Sequence, residues 1–367
     1  MSVAEIGRPI SFERGAPSPD LVQIDGLRAA ADSALSGDFA AAVTYGTAVG
    51  YAPLREWAAA RHGVPVEQVM ITNGSMQAGS LLFDVLLEPG DDVVVEEPMY
   101  DRTLVALRMR GATTHAVPSD SDGIDTVELE RRLRDGLTPK LVQVIPTFQN
   151  PSGFTLSLQR RERLVGLAAE FGFTLVEDDP YRLLRFAGEE LPTLRSLDPG
   201  GRIVLADSFS KTICPGLRVG YLVGPTDLIG AVVKLATDTY ISPSQVAEAI
   251  VYEFCASGAI EESIAGFRSG LKERAELLAT GIVKAIPGAR CNPPEGGYFL
   301  WVELPQEIEA GGFVERAREA GIRCTPGADF MLPGRPSNSV RLAYSGVTCA
   351  EIEEGLERIA GVVEGGS

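Results

Sequence analysis

Seven short apolar runs separated by stretches of helical length constrain this chain more than any other feature of its 367 residues. The runs fall at 69–72, 93–96, 113–117, 141–145, 174–176, 203–206 and 219–223 and are rich in Val and Ile. Helical patterns at 76–87, 100–110 and 157–171 lie between them. Strands that alternate with helices and are apolar on both faces predict an α/β fold with a mainly parallel seven-stranded sheet covered on both sides. One connection departs from this. About a dozen residues, rich in Ser, Pro and Gly and without helical periodicity, join Ala206 to Val219, which is marginal for a parallel crossover. The last strand is therefore predicted antiparallel.

Farther on, Ile264, Phe267, Leu271, Leu277, Leu278 and Ile282 recur near helical spacing and predict one long helix over 260–286. Beyond Pro287, short runs at 298–302, 322–325 and 340–343 and helical patterns at 312–320 and 349–362 predict a small α+β domain. The organisation reads as an N-terminal arm over 1–39 packed on the small domain, a large domain over 40–259, the connecting helix, and the small domain over 287–367.

Composition narrows the chemistry. The chain carries 33 Lys and Arg against 50 Asp and Glu, a formal charge of −17. Nucleic acid and anionic membranes would repel it. Two isolated histidines, His62 and His115, cannot build a His-rich metal site, and no H-E-x-x-H occurs, so no metal is expected. His62 reads as a helix C-terminal residue and His115 as part of an outer strand, which leaves acid–base work to Lys, Tyr, Asp, Glu or Cys. Five scattered cysteines without a C-x-x-C fit a reducing compartment. No apolar run reaches the ~18 residues of a membrane span, and residues 1–8 lack a signal-peptide pattern. The expected location is the cytoplasm.

Several strand ends carry polar residues. Ser208-Phe209-Ser210-Lys211 is followed by Pro215-Gly216-Leu217-Arg218-Val219-Gly220. Hydroxyls and a guanidinium suit a phosphate, and a lysine beside a phosphate site can form a Schiff base with pyridoxal 5'-phosphate (PLP). Taken alone, the stretch reads more simply as a surface lysine in a polar loop. Asn73-Gly74-Ser75 ends a strand and opens a helix, where backbone N–H groups and Ser75 can cradle an anion or Ser75 can act as a plain N-cap. Glu177-Asp178-Asp179-Pro180-Tyr181 puts a carboxylate at a strand end, where it can pair with a pyridinium nitrogen; a capping Asp with a rim Tyr is the plainer use. Phe148-Gln149-Asn150-Pro151-Ser152-Gly153 is by itself only an N-P turn. Tyr100 suits stacking on a planar ring or ordinary packing.

Together and in this order the segments resemble the fold-type I PLP enzymes, class I and II aminotransferases, over nearly the whole chain. Thr44-Tyr45-Gly46, Leu54-Arg55-Glu56, Gly296-Gly297-Tyr298-Phe299-Leu300-Trp301 and Val340-Arg341-Leu342 extend the likeness. It is greatest to the branch holding 2-aminoadipate and aromatic aminotransferases, together with the aminotransferase-like domain of MocR-type regulators. The resemblance implies PLP as cofactor and Lys211 as Schiff-base lysine and proton shuttle. It implies that Asp178 pairs with the ring nitrogen, that Tyr181 and Asn150 hydrogen-bond the ring oxygen, and that Tyr100 stacks on the ring. Ser75, the backbone of Met76, Ser208, Ser210 and Arg218 would hold the phosphate. Arg341 would bind the substrate α-carboxylate, with Asn150 and the backbone near Gly15. Tyr45 would reach the phosphate of a partner subunit, implying a homodimer with shared sites.

The chain departs from the family pattern at three places. Asp207 stands where relatives usually carry a small residue, and strand alternation points it away from the Ser208 side. Met76 stands where close relatives carry a polar residue. The arm ahead of Ile10-Ser11-Phe12 is short, so substrate preference does not carry over, and the DNA-binding domain of MocR regulators is not expected ahead of it. The expected function is amino transfer from an α-amino acid to a 2-oxo acid by a ping-pong route. The alternative is a PLP-dependent lyase, decarboxylase, cyclase or oxidase on the same fold, because substrate orientation decides which bond breaks. A non-catalytic PLP sensor is disfavoured by the intact Arg341.

Overall fold

The computed structural model describes residues 8–37, 39–198 and 200–365. Its strands are β1 (Ile10–Ser11), β2 (Val69–Thr72), β3 (Asp92–Glu97), β4 (Thr113–Asp120), β5 (Gly123–Ile124), β6 (Leu141–Val144), β7 (Thr174–Asp178), β8 (Val204–Ser208), β9 (Gly220–Val223), β10 (Phe299–Glu303), β11 (Ile322–Arg323), β12 (Thr325–Pro326) and β13 (Ser339–Ala343). Its α-helices are α1 (Ile24–Ser36), α2 (Phe39–Val43), α3 (Ala52–His62), α4 (Ser75–Leu86), α5 (Asp101–Met109), α6 (Thr126–Arg134), α7 (Leu158–Phe171), α8 (Thr226–Tyr240), α9 (Gln245–Ala256), α10 (Ala259–Ala285), α11 (Ala310–Glu319) and α12 (Cys349–Glu364).

The large sheet runs β2-β9-β8-β7-β6-β3-β4-β5. The pairs from β8 through β4 are parallel. β9 is antiparallel to both its neighbours, as the missing crossover requires: only two short 3-10 turns lie between β8 and β9. The seven-stranded expectation is corrected to eight. β5 folds back on β4 as a short hairpin, turning at Gly123, whose φ of +90° suits glycine. A two-residue strand has no periodicity for a sequence to show.

Alternation along β3 shows why the sheet is covered twice. Val93 and Val95 share a core with Leu82 of α4 and Val232 of α8, whereas Val94 joins Leu129 of α6 and Leu164 of α7. All are fully buried, and each such side chain contributes on the order of 1.5–3 kcal/mol. A glycine in the left-handed conformation, Gly63, ends α3, with basic residues in its last turn.

The C-terminal unit is an antiparallel sheet β10-β13-β12 with α11 and α12, tied to the rest by the 27-residue α10. The segment expected as one arm over 1–39 behaves as two pieces; its residues 1–7 and 38 lie outside the described residues. β1 pairs in parallel with β11, Ile10 opposite Ile322, and the Ser18 N–H donates to the Ser345 carbonyl at 2.8 Å. By contrast α1 lies along α9, where the Ser33 hydroxyl donates to Glu253 at 2.7 Å. The apolar residues of α1 that face α9, among them Ala30 and Ala34, are small, which gave the sequence little periodic signal.

Candidate active site

Ligands of open α/β sheets sit beyond the carboxyl ends of the strands, and the polar segments converge there. β2 ends at Thr72, just before α4 begins at Ser75; β3 leads to Tyr100; β7 ends at Asp178; β8 ends at Ser208.

The first feature is an anion cradle. Gly74 caps α4 at φ +84°. A Cβ there would lie 2.6 Å from Arg218 Nη2, and one at Gly220 would lie 2.8 Å from the Ser75 nitrogen. Two missing side chains thus let the α4 N-terminus and Arg218 approach each other. Arg218 Nη1 donates to Ser210 Oγ at 3.3 Å, and the Ser210 N–H donates to Ser208 Oγ at 3.2 Å. Free helix N–H groups, two buried hydroxyls and a guanidinium form a site for a phosphate. Met76 is half exposed, so its backbone and not its thioether suits that role.

The second feature is an unsatisfied carboxylate. Asp178 lines a small cavity of about 50 Å³ with Ser75, Met76 and Tyr100. Its Oδ1 is buried without a hydrogen-bond partner, an arrangement that costs on the order of 1–3 kcal/mol or more unless a ligand group answers it. Burial, then the charges of Asp179 and Asp207, push its pKa up to about 7 against the pull of Lys211.

The third feature is the lysine. Lys211 closes the 3-10 turn that Ser208 caps. Its Nζ donates to the Gly15 carbonyl at 2.6 Å and lies 5.7 Å and 5.4 Å from the ring centres of Tyr181 and Tyr298. Burial, reinforced by Arg218 and Arg341 and opposed by Asp178, brings its pKa down to about 8. About a tenth of the amine is then neutral at pH 7, far more than for an ordinary lysine.

Arg341 completes the arrangement. Cross-strand register sets Trp301, Arg341 and Thr325 in one row. Arg341 Nη1 donates to Asn150 Oδ1 at 2.8 Å, and Nη2 donates to the Glu13 carbonyl at 2.5 Å and to Thr325 Oγ1 at 3.2 Å. Its guanidinium lies 4.6 Å from the rings of both Phe299 and Phe330. Asn150 also stands beside the Tyr181 hydroxyl. Tyr100, Asn150, Tyr181, Lys211, Arg341 and Gly15 line one cavity of about 390 Å³.

Every site residue singled out in the sequence gathers here except Tyr45, which is 90% exposed and lines neither cavity. Sequence reasoning missed the Phe299–Phe330 sandwich, the Glu13 carbonyl and Thr325, and it gave Tyr298 no role although its hydroxyl donates to the Lys211 carbonyl at 2.9 Å. No local signal marks them: strand pairing in the small unit sets Phe299 and Thr325 on the strands that flank Arg341, and Glu13 follows β1, which pairs with β11. His115 instead pairs with Asp92 at 2.7 Å, at the sheet's other end. Among the described residues, no group of three or more His, Cys, Asp or Glu side chains could hold a metal ion. No helix among them is long and apolar enough to cross a membrane.

A ring nitrogen answers the orphaned Asp178 oxygen, a phosphate answers the cradle, and an aldehyde answers Lys211; PLP fits these residues. The eight-stranded, mostly parallel sheet with this site defines a fold-type I PLP-dependent enzyme. The family described as aminotransferase class I and II matches residues 15–359. The chain is 32% identical to aromatic-amino-acid aminotransferase 1 of Thermococcus litoralis, over 99% of this chain and 90% of that protein. It is 33% identical to 2-aminoadipate transaminase of Thermus thermophilus, over 97% of this chain and 90% of that protein. The structure of a Pyrococcus horikoshii kynurenine aminotransferase superposes with a TM-score of 0.94 at 33% identity, covering 99% of this chain and 93% of that one. The chain belongs to the class I and II aminotransferases and is a PLP-dependent aminotransferase.

Proposed function

We propose that the enzyme moves the amino group of an α-amino acid to a 2-oxo acid by a ping-pong route, with Lys211 as both the Schiff-base residue and the proton carrier. The observation that carries this reading is the sharing of one cavity by Lys211 Nζ and a guanidinium, Arg341, fixed by Asn150 and two rings. When bound, PLP supplies an electron sink that acidifies the substrate Cα–H. Asp178 holds a proton against the ring nitrogen, Tyr181 and Asn150 orient the ring oxygen, and Tyr100 covers the ring face. The α4 N-terminus, Ser75, Ser208, Ser210 and Arg218 anchor the phosphate. Arg341, with Asn150, takes the α-carboxylate by a charge-assisted fork and so fixes which Cα substituent faces Lys211. With a pKa near 8, the amine can take that proton and return it. We further propose a homodimer in which Tyr45 of each chain reaches the other's phosphate cradle. The exposure of Tyr45 and of Arg218 supports this. A cytoplasmic location is supported by the five free cysteines.

The test is a half-reaction. The yellow holoenzyme, mixed with single amino acids and no oxo acid, should lose its visible absorbance, release one 2-oxo acid and leave the amino group on the cofactor until an oxo acid is added. Product release without amination of the cofactor would reject transamination in favour of elimination or decarboxylation. Lys211→Ala should lower turnover by at least about 10³-fold and abolish the lysine-bound visible band. Persistence of that band would show that another lysine carries the cofactor.

A further inference from the structure

Asp207 has no part in the site described above, yet it immediately precedes the Ser208–Lys211 segment. It is 5% exposed and sits on the face of β8 opposite Ser208, turned toward Tyr221, its direct partner on β9. Its Oδ1 accepts the Ser208 N–H at 2.6 Å, and its Oδ2 accepts the Tyr221 hydroxyl at 2.8 Å. Arg182 Nη2 lies 3.7 Å from Asp207, while its Nε lies 3.5 Å from Asp179.

Tyr221 Oη is also 3.0 Å from His62 Nε2. A carboxylate can only accept, so the phenol proton points at Asp207 and His62 Nε2 must carry the proton it donates to the phenol oxygen. Burial pushes the imidazole pKa down to about 4, which keeps it neutral. The row His62–Tyr221 thus delivers one hydrogen bond to Asp207 without delivering a positive charge, and the Ser208 N–H supplies the other. Arg182 is a single cation shared between two carboxylates. A buried negative charge is left behind the strand that carries the lysine.

We propose that Asp207 is a positioning residue: it clamps the Ser208 peptide that starts the Lys211 turn, and its negative charge keeps a proton at the contact between Asp178 and the cofactor ring. Asp178 at the end of β7 stands in register opposite Ala206, the residue before Asp207 on the neighbouring β8; it is faced by Asp179, Asp207 and Lys211, by Glu96 on β3, and by the hydroxyls of Tyr100 and Tyr181. The Asp179 and Asp207 charges favour its protonation, and Lys211 opposes it. Removing a nearby negative charge lowers the proton affinity of a carboxyl group, whereas changing a neutral hydrogen-bond donor leaves the long-range field in place. The inference rests on the PLP assignment, but its first test does not need the cofactor or turnover.

The experiment is a carbon-NMR titration of aspartate carboxyls in cofactor-free protein, with the Asp178 signal assigned by Asp178→Asn. Asp207→Asn keeps an acceptor for the Ser208 N–H and removes the charge. It should lower the Asp178 midpoint by about one pH unit; Asp207→Ser should do the same and serves if the Asn variant does not fold. Tyr221→Phe retains the carboxylate and should leave the midpoint within about 0.2 unit. In the holoenzyme, the nitrogen-15 signal of labelled PLP should move toward the unprotonated ring in Asp207→Asn. An unchanged Asp178 midpoint in a folded, neutral Asp207 variant overturns the proposal. So does an equal shift in Tyr221→Phe, which would assign the effect to packing. Lack of amino transfer by the wild type would reject the function proposed above and leave this titration intact.

Discussion

At the scale of single residues, the site separates groups announced by their neighbours in sequence from groups assembled by the fold. Asp178 ends a strand, Ser75 opens a helix, and Lys211 and Asn150 lie in the short segments that follow β8 and β6, so their positions follow from the alternation of runs and from the short motifs around them. Arg341 was readable only through resemblance, and its setting was not readable at all. Phe299 and Phe330 come from a strand and a turn some thirty residues apart, and they meet across the guanidinium because β10 and β12 flank β13. This sandwich explains why a flexible ammonium would be a poor replacement. Stacking between two rings and two simultaneous donations to Asn150 and Glu13 need a planar, forked cation. Arg341→Lys should therefore lower kcat/KM for the amino acid by about 10–100-fold, largely through KM. The visible spectrum of the bound cofactor should stay unchanged. A matching loss of cofactor would show that Arg341 supports the PLP site and not the substrate.

At the scale of elements, the sequence exposed those with strong periodicity or a decisive absence. The antiparallel β9 was legible because the link from β8 is too short and too poor in helix formers to cross over. β5 and α1 were not: one is two residues long, and the other buries a thin alanine stripe. A further element-level feature is the first turn of α9, where Ser244 caps the helix and Glu248 turns inward. Glu248 is 1% exposed, accepts the Tyr51 N–H at 2.5 Å through Oε2, and leaves Oε1 without a partner. Burial pushes its pKa up from 4.5 to about 8. A carboxyl group whose folded pKa is raised takes up a proton on folding. Its neutral form is compatible with the fold below about pH 4.5, and stability is lost as pH rises from there through 8. Glu248→Gln keeps the acceptor for Tyr51 and cannot ionise. The melting temperature of the variant should match the wild type near pH 4.5 and exceed it by a few degrees near pH 8.5. A constant difference across that range would mean that folding does not raise the pKa of this carboxyl.

At the scale of the whole molecule, the charge of −17 and the cationic site are reconciled by geometry. The phosphate anchor draws on one helix end and one arginine placed by two glycines, so a strongly acidic protein still holds an anion locally. Yet a single chain leaves this anchor open. Arg218 is exposed, and Tyr45, on the segment after α2, has most of its surface in solvent. If Tyr45 of one protomer completes the cradle of its partner, two defects placed on different chains should complement. In Lys211→Ala every site lacks its lysine, and in Tyr45→Ala every site lacks the partner's hydroxyl. After subunit exchange in an equal mixture, about half the dimers are hybrids. One site of each hybrid collects both defects and the other collects none. Activity should therefore rise, on exchange, toward about a quarter of the wild-type value plus about a quarter of the Tyr45 variant's own activity. Activity that stays at the average of the two separate variants would place Tyr45 outside the partner's site, whatever the oligomeric state found by sedimentation. Because exposed Tyr45 packs against nothing in its own chain that the fold needs, its loss should leave the melting temperature of the dissociated chain unchanged, so that a failure to complement cannot be ascribed to misfolding.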